Sequence, residues 1–404
     1  MAEKRFLIVA ASIGSGHSKA AEAVAEELKK RNPKAWIRMV DFSAWAVSPA
    51  TAFMKGSYFF MLRFIPNLYH LLYRFTGGKA GGLSMQSLIS AVTARDIGAL
   101  VRQYQPDVVI CTHPFPAGAA SWRKARHPQE FLFATVITDY SVHQMWMYPR
   151  VDCYFVARDE MKMELTAAGI SPESVHVTGI PIMAAFHHAA DREALCQKMD
   201  LAPDVPVVLL MGGGLGLGGV EAALSELEQF VGAVQILVVA GSNETLRQRV
   251  EALAKRSRHV IRAWGFSREV RALMAVSSFL VSKPGALTIS EALAVELPML
   301  LHDPIPGPEA QNAAYLSQQG AAVWVSDPKR LGEALCQLLQ EPERLERMRL
   351  RARAMKRPDA AKKIGDILCQ VLSGHGGVAR TEDSQGDGFL VMNDKITENR
   401  GGFS

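Results

Sequence analysis

The apolar positions of this chain gather into short unbroken runs rather than into long alternating stretches. Phe6-Leu7-Ile8-Val9-Ala10-Ala11 is the first such run, followed by Ser12-Ile13-Gly14-Ser15-Gly16-His17 and then a helix-patterned stretch from Ser18 to Lys30. A continuous apolar run that breaks on glycines and restarts with helical periodicity predicts the opening βα unit of a doubly wound parallel sheet. The glycines occupy the turn, where a backbone without Cβ can tighten or approach a ligand. His17 falls at the helix start, on the edge where such a sheet binds things. The device recurs in Val207-Val208-Leu209-Leu210-Met211, then Gly212 to Gly219, then a helix from about Val220. Two such openings predict an α/β chain of two Rossmann-like, doubly wound domains facing one cleft.

Taken in order, the pattern predicts a second strand over 36–42 ending at Asp41, and a helix from Leu88 to Tyr104. A strand over 107–111 delivers Thr112-His113-Pro114, and one over 131–138 delivers Thr138-Asp139-Tyr140, with His143 and Trp146 just beyond. Strands over 154–157 and 175–177 flank a helix from Asp159 to Ala168 closed by Gly169. The first domain is expected to end near residue 185 and the second to occupy 186–373. The second should carry strands at 207–211, 236–240, 259–262, 279–281 and 299–301, with helices near 220–231, 243–256, 267–275, 288–295 and 309–318. A last helix from about Pro342 to Ser373 is expected to pack back on the first domain. From 374 to 404 the composition turns to small and polar residues, which predicts a disordered tail.

Length and composition change this picture little. The 404 residues suit two full cores. A net charge of +5 gives mild attraction to anions without naming one, and no concentrated basic face for nucleic acid. The cysteines at 111, 153, 196, 336 and 369 are scattered without metal-ligand spacing, which predicts a reducing interior compartment. No run is long enough for a signal-peptide core or a transmembrane helix. One segment stands apart: between Asp41 and Asp96 there is no acidic residue, while Phe53, Tyr58, Phe59, Phe60, Phe64, Tyr69, Tyr73 and Phe75 crowd together. Either its aromatics pack into the first domain, or they dip into a membrane interface while Arg and Lys meet anionic headgroups. Gly77 to Gly82 is expected to be a mobile loop.

Several stretches carry candidate chemistry, each with a plain structural alternative. The Gly212–Gly219 run, with Gly213 and Gly214 near its start, offers free backbone N–H groups and a helix start for a diphosphate, or is a close-packed turn. It lacks the Gly-Lys-Ser/Thr of a P-loop. Ser282 to Glu291 reads as strand, turn and a helix opening at Thr288. Glu291 then either accepts two ribose hydroxyls or closes a capping box with Thr288. Glu309, Gln311 and Asn312 follow a proline-rich loop and either bond a hexose and its phosphates or cap the surface. His17, His113, Asp139 and His143 are expected near one sheet edge. His17 is the candidate base, because a neutral imidazole takes a proton from an alcohol at neutral pH. Asp139 orients it or is itself the base.

Together, 11–17, Thr138-Asp139-Tyr140 with His143 and Trp146, Lys283-Pro284-Gly285 through Ser290-Glu291-Ala292-Leu293, and Pro306-Gly307-Pro308-Glu309 with Asn312 resemble the monogalactosyldiacylglycerol synthases and bacterial diacylglycerol glucosyltransferases. These are GT-B glycosyltransferases of the GT28 type. The resemblance covers roughly residues 5–370. It implies a lipid acceptor on the first domain and the UDP-sugar mainly on the second. It makes His17 the acceptor-activating histidine, Glu291 the ribose ligand, and Glu309 and Asn312 part of the sugar- and phosphate-contacting loop. The donor-side set is then Gly16, Gly213, Gly214, Phe266, Lys283, Gly285, Thr288, Glu291, Glu309, Gln311 and Asn312, and the catalytic pair is His17 and Asp139. The aromatic segment lies where the family inserts its membrane-association element. Pro308 stands where glutamine is common and Gln311 where glycine is common, which bears on the hexose used.

The reaction so implied is inverting transfer of glucose from UDP-glucose to the 3-hydroxyl of 1,2-diacylglycerol. The expected setting is the cytoplasmic face of an anionic membrane, with peripheral attachment, no resident cofactor, no essential metal and no nucleic-acid partner. The Asp-x-Asp metal motif is lacking in the chain. UDP-galactose is the alternative donor, and N-acetylglucosamine transfer to a polyprenyl-linked acceptor the nearest rival. A nucleotide-sugar sensor without turnover is the rival of another class.

Overall fold

The computed structural model describes residues 3–11, 15–45, 56, 79–188, 191–213, 219–305 and 307–374. Apart from Gly56, the aromatic stretch 50–75 lies outside the described residues, as do Gly77, Gly78, Gly214 and the tail from 375.

The strands of the first lobe are β1 (Arg5–Ala10), β2 (Trp36–Asp41), β3 (Val108–Cys111), β4 (Leu132–Val136), β5 (Cys153–Val156) and β6 (Val175–Val177). They form one six-stranded sheet in the order β2-β1-β3-β4-β5-β6, parallel throughout. The second lobe orders β7 (Val207–Met211), β8 (Gln235–Val239), β9 (Val260–Trp264), β10 (Phe279–Ser282), β11 (Met299–Leu301) and β12 (Ala322–Trp324) as β12-β11-β10-β7-β8-β9. Strands β1, β3, β4, β5, β7, β8, β10 and β11 are buried along their whole length, which is why they read as continuous apolar runs. In each sheet the order reverses beside its first strand, between β1 and β3 and between β7 and β10. Ligands of open parallel sheets bind outside the carboxyl ends of the strands at such a switch point.

Around the first sheet run α1 (Gly16–Arg31), α2 (Lys79–Tyr104), α3 (Pro114–Arg126) and α4 (Asp159–Ala167), and α5 (Arg192–Lys198) leads into the second lobe. The second lobe carries α6 (Val220–Gln229), α7 (Glu244–Ala254), α8 (Val270–Val276), α9 (Ala286–Ala294), α10 (Pro308–Gln318), α11 (Leu331–Gln340) and α12 (Pro342–Met355). The chain ends its described part in α13 (Ala360–Gly374). Among the described residues no helix is long and apolar enough to cross a membrane.

Strand β12 and helices α3, α5 and α11 were not expected from the sequence, and three expected elements are placed differently. Helix α2 begins at Lys79 and so takes in Gly81 and Gly82, which were expected in a loop. Two glycines weaken a helix by roughly 2 kcal/mol against alanine, a cost the packing of α2 along α3 offsets. The contact is close: a Cβ on Gly118 of α3 would sit 2.4 Å from Ser90 Oγ of α2. The single terminal helix is instead α12 and α13, broken at Pro358, whose ring clashes with a preceding helical turn. Helix α9 opens at Ala286 with Gly285 as N-cap, two residues earlier than Thr288.

The break at Pro358 returns the chain to the first lobe. Ile364 and Leu368 of α13 are fully buried in the cluster formed by Phe6, Ile8, Val24 and Leu28. Burial of two such side chains stabilises the attachment by roughly 3–6 kcal/mol before entropy. Arg31 of α1 pairs with Asp366 and also donates to the Lys362 carbonyl at 3.0 Å. A second apolar cluster bridges the lobes, joining Ile137, Tyr140 and Trp146 to Leu209, Ile289 and Leu293.

Candidate active site

His17 stands in the first turn of α1, at the carboxyl edge of β1 and beside the loop leaving β3. Its Nδ1 lies 2.8 Å from the Thr112 carbonyl oxygen and 2.7 Å from Thr138 Oγ1. A carbonyl only accepts, so the proton sits on Nδ1, and Nε2 keeps its lone pair. The Thr112 hydroxyl returns a bond to the His17 carbonyl at 3.0 Å, fixing both ends of the residue. The ring is partly accessible yet enclosed by protein, and this desolvation lowers its pKa from 6.5 to about 4 against the opposing pull of the Thr112 carbonyl. The imidazole is therefore neutral throughout the physiological range.

The other two histidines expected at this edge have different jobs. His113 is buried and its Nδ1 accepts from Phe115 N–H at 3.2 Å, capping α3. His143 accepts from Met145 N–H at 3.2 Å at the start of the short 3-10 turn Gln144–Trp146. His113 also packs edge-on against His17, with ring centroids 4.7 Å apart.

Asp139 follows β4 and faces the second lobe. Burial raises its carboxyl from 3.8 to about 7; the polar Asn312 amide works against this and the nearby Glu309 carboxylate adds to it. The orienting group on His17 is thus the Thr112 carbonyl, and Asp139 is engaged with α10. Tyr140, the next residue, crosses the cleft. Its N–H donates to Asn312 Oδ1 at 3.0 Å, its hydroxyl meets Ser290 Oγ at 2.9 Å, and its ring stacks on Tyr315 at 5.7 Å.

On the donor side, the early start of α9 removes the capping-box alternative for Glu291. With Gly285 as N-cap, Glu291 lies beyond the first turn and no side chain caps this helix start. Desolvation raises its pKa from 4.5 to about 7, with Lys19 of α1 on the facing lobe pulling the other way. Gly16 brings that helix close: a Cβ there would lie 3.7 Å from Leu287 Cβ. Glu309 Oε2 accepts from Ile305 N–H at 2.6 Å, while Oε1 sits 3.8 Å from Lys283 Nζ. Burial raises the Glu309 carboxyl and Lys283 opposes this. Gly285 lies beside the same carboxylate, 4.0 Å from its Oε1 by a built Cβ.

Gly213 holds a φ of +72°, open to L-residues only with strain, with nothing within 4 Å of a built Cβ. Thr288 is half-buried on α9, Gln311 is exposed on α10, and Phe266 stands 66% exposed just past β9 at the sheet's far edge. Asn312, by contrast, is fully buried. The structure thus gathers His17, Asp139, Glu291, Lys283, Gly285 and Glu309 around one cleft, and sets Asn312 behind it. Among the described residues no group of three or more His, Cys, Asp or Glu forms a metal-holding cluster. Sequence reasoning missed Thr112 and Thr138 as the groups that set the His17 tautomer, and Lys19 as the cation facing Glu291. Their signal was present only as strand-end position.

Two parallel-sheet lobes with facing switch points define a GT-B fold. Residues 17–182 match the monogalactosyldiacylglycerol (MGDG) synthase family and residues 207–364 the glycosyltransferase family 28 C-terminal domain, so homology to these glycosyltransferases runs over most of the chain. Among curated relatives, a processive diacylglycerol β-glucosyltransferase of Bacillus cereus (strain AH187) is 29% identical over 364 residues, covering 90% of this chain and 93% of that protein. One of Bacillus thuringiensis (strain Al Hakam) is 28% identical over 366 residues, with 91% and 93% covered. In three dimensions the chain is similar to MurG of Acinetobacter baumannii, with a TM-score of 0.61 at 16% identity over 91% of this chain and 99% of that one. It also resembles a UDP-GlcNAc 2-epimerase of Neisseria meningitidis bound to UDP-GlcNAc, with a TM-score of 0.57 at 17% identity over 91% and 100%.

Proposed function

We propose that this protein transfers glucose from UDP-glucose to the 3-hydroxyl of 1,2-diacylglycerol with inversion, giving β-glucosyldiacylglycerol. The observation that carries the mechanism is the His17–Thr112 bond, which fixes a neutral imidazole with Nε2 free to accept a proton. The acceptor oxygen attacks the anomeric carbon as its proton passes to Nε2. The bond from that carbon to the diphosphate oxygen breaks, and its electron pair leaves with UDP. Asp139, ionised, faces the donor side and offsets the positive charge that develops on the sugar. Glu291 takes the ribose hydroxyls, and backbone N–H groups at the strand-to-helix turns after β7 and β10 take the diphosphate. Closing the cleft keeps water from the anomeric carbon.

The relatives' diacylglycerol activity supports the acceptor. The acid-free, aromatic-rich stretch between Asp41 and Asp96 supports work at an anionic membrane surface. The test is purified protein with diacylglycerol in mixed micelles and labelled UDP-glucose, UDP-galactose or UDP-N-acetylglucosamine in parallel. A β-glucosyl lipid lost in His17→Ala supports the reading, a galactolipid reverses the donor, and label on neither lipid sinks it.

A further inference from the structure

Asn312 is fully buried and spends every polar atom of its amide on protein. Oδ1 accepts the Tyr140 N–H at 3.0 Å and Nδ2 donates to the Pro284 carbonyl at 3.2 Å; the same amide is near enough to the Asp139 carboxyl to favour its charged form. A donor on one side and a carbonyl on the other leave a single orientation of the amide. Each partner belongs to a different part of the site. Pro284 lies in the turn that opens α9 and so places Glu291. Asn312 itself is one turn along α10 from Glu309. Tyr140 and Asp139 close the loop after β4 in the opposite lobe.

The rest of Tyr140 is held just as firmly. Arg158 Nε donates to its carbonyl at 2.6 Å, and the Arg158 guanidinium lies over the Tyr315 ring at 4.5 Å. The charged and titratable groups facing Asp139 are Glu309 of α10 and, behind it, Lys283 of the turn before α9. On its own lobe His17 of α1 stands one residue away through Thr138. Against Glu309, which disfavours the charge, the Asn312 amide favours an ionised Asp139.

We propose that Asn312 is a positioning residue for the transfer, whose one amide registers the two lobes and aims the Asp139 carboxylate at the anomeric centre. Closure of the cleft and assembly of a working carboxylate are then one event. This rests on the role given to Asp139 above. It also places Asn312 in a role different from the sugar contact that family resemblance implies.

The test compares wild type with Asn312→Ala and Asn312→Asp by three readouts. These are hydrogen exchange of the peptide spanning 137–143, UDP affinity by calorimetry, and the pH dependence of kcat for glucosyl transfer at saturating donor. For Asn312→Ala the Tyr140 amide loses protection and UDP affinity stays within about threefold. Its kcat falls about 100-fold, and its acid limb moves up by about one pH unit because the carboxylate has lost the polar neighbour that favours its charge. Asn312→Asp keeps the volume and the acceptor for Tyr140 while removing the donors. It loses kcat to a similar degree with Tyr140 still protected, and it carries the test if the alanine variant does not fold. A kcat within about threefold of wild type with an unmoved acid limb overturns the proposal. So does a raised KM for UDP-glucose at unchanged kcat, which would make Asn312 a donor contact. Should wild type glucosylate no lipid, the proposed function fails. The exchange and UDP readouts still decide the clamp: an unchanged exchange rate at Tyr140 in Asn312→Ala refutes it.

Discussion

The Nδ1 of His17 lies 2.8 Å from the carbonyl oxygen of Thr112, a residue at the end of the neighbouring strand. That contact joins the first strand-to-helix turn to the strand across the switch point. It converts an ordinary histidine into one with a fixed tautomer and an ordinary helix start into a place for a base. His17→Ala is expected to lower kcat by about 10²–10⁴, with UDP affinity unchanged because the proposed nucleotide site is on the other lobe. His17→Gln, which keeps a donor for Thr112 and loses the base, should be as inactive. Steady-state kinetics beside calorimetric UDP titration separates the two. Recovery of activity in the glutamine variant would show that His17 serves only to hold the turn.

Glu291 gives a prediction in two directions. Its carboxyl is raised from 4.5 to about 7, first by desolvation and against the pull of Lys19. The native state therefore keeps a proton that the unfolded chain has already lost. Stability associated with this group is complete below pH 4.5, falls as pH rises towards 7, and is gone above it. Glu291→Gln should raise the stability of the ligand-free protein at pH 8 by about 1–2 kcal/mol, discounted for cleft water, and leave it unchanged at pH 4. The same variant should bind UDP about tenfold or more weakly, since one ribose hydroxyl loses its charged acceptor. Denaturant melts at the two pH values and a UDP titration test both halves. A variant as tight as wild type for UDP would remove Glu291 from the ribose.

Gly179 guards the return of the chain to the first lobe. It has a φ of +94°, and a Cβ there would lie 2.7 Å from Arg357 Cβ and 3.3 Å from Ala360 Cβ. Both neighbours are near the backbone of the α12–α13 junction, so neither can swing aside. Gly179→Ala is expected to cost about 2–3 kcal/mol from strained backbone plus the clash. A melting temperature within a degree of wild type would show that the junction yields freely.

What the sequence disclosed follows from which signals are local. Continuous apolar runs such as Phe6–Ala11 and Val207–Met211 are buried on both faces, so their own residues announce them. The helix start at Ala286 rather than Thr288 was not announced, because Gly285 can serve as turn or N-cap alike. That shift of two residues decides whether Glu291 closes a capping box or faces a nucleotide. The division between α12 and α13 was hidden because charged and apolar residues keep helical spacing through Pro358. His17, His113 and His143 look alike in a sequence. Only tertiary position makes one a candidate base and the others helix caps. The clamp between Tyr140 and Asn312 spans 172 residues and has no local signature at all.

The pH dependence of turnover distinguishes the two catalytic candidates. Burial sets the His17 imidazole at about 4 and the Asp139 carboxyl at about 7. If transfer needs only a neutral imidazole, kcat at saturating donor stays level from pH 8 down to about 5 before falling. If it also needs an ionised Asp139, half of kcat is lost near pH 7 and the decline continues tenfold per pH unit below it. The second profile is expected, since a protonated Asp139 has no charge to set against the developing oxocarbenium ion. Asp139→Asn should then be slow, about 10²-fold or more in kcat, and its remaining activity should be level down to about pH 5. Glu291→Gln keeps the limb near 7, because saturating donor removes the ribose contact from kcat. A wild-type profile level to pH 5 would instead leave His17 as the sole titrating group and reduce Asp139 to a partner of Asn312.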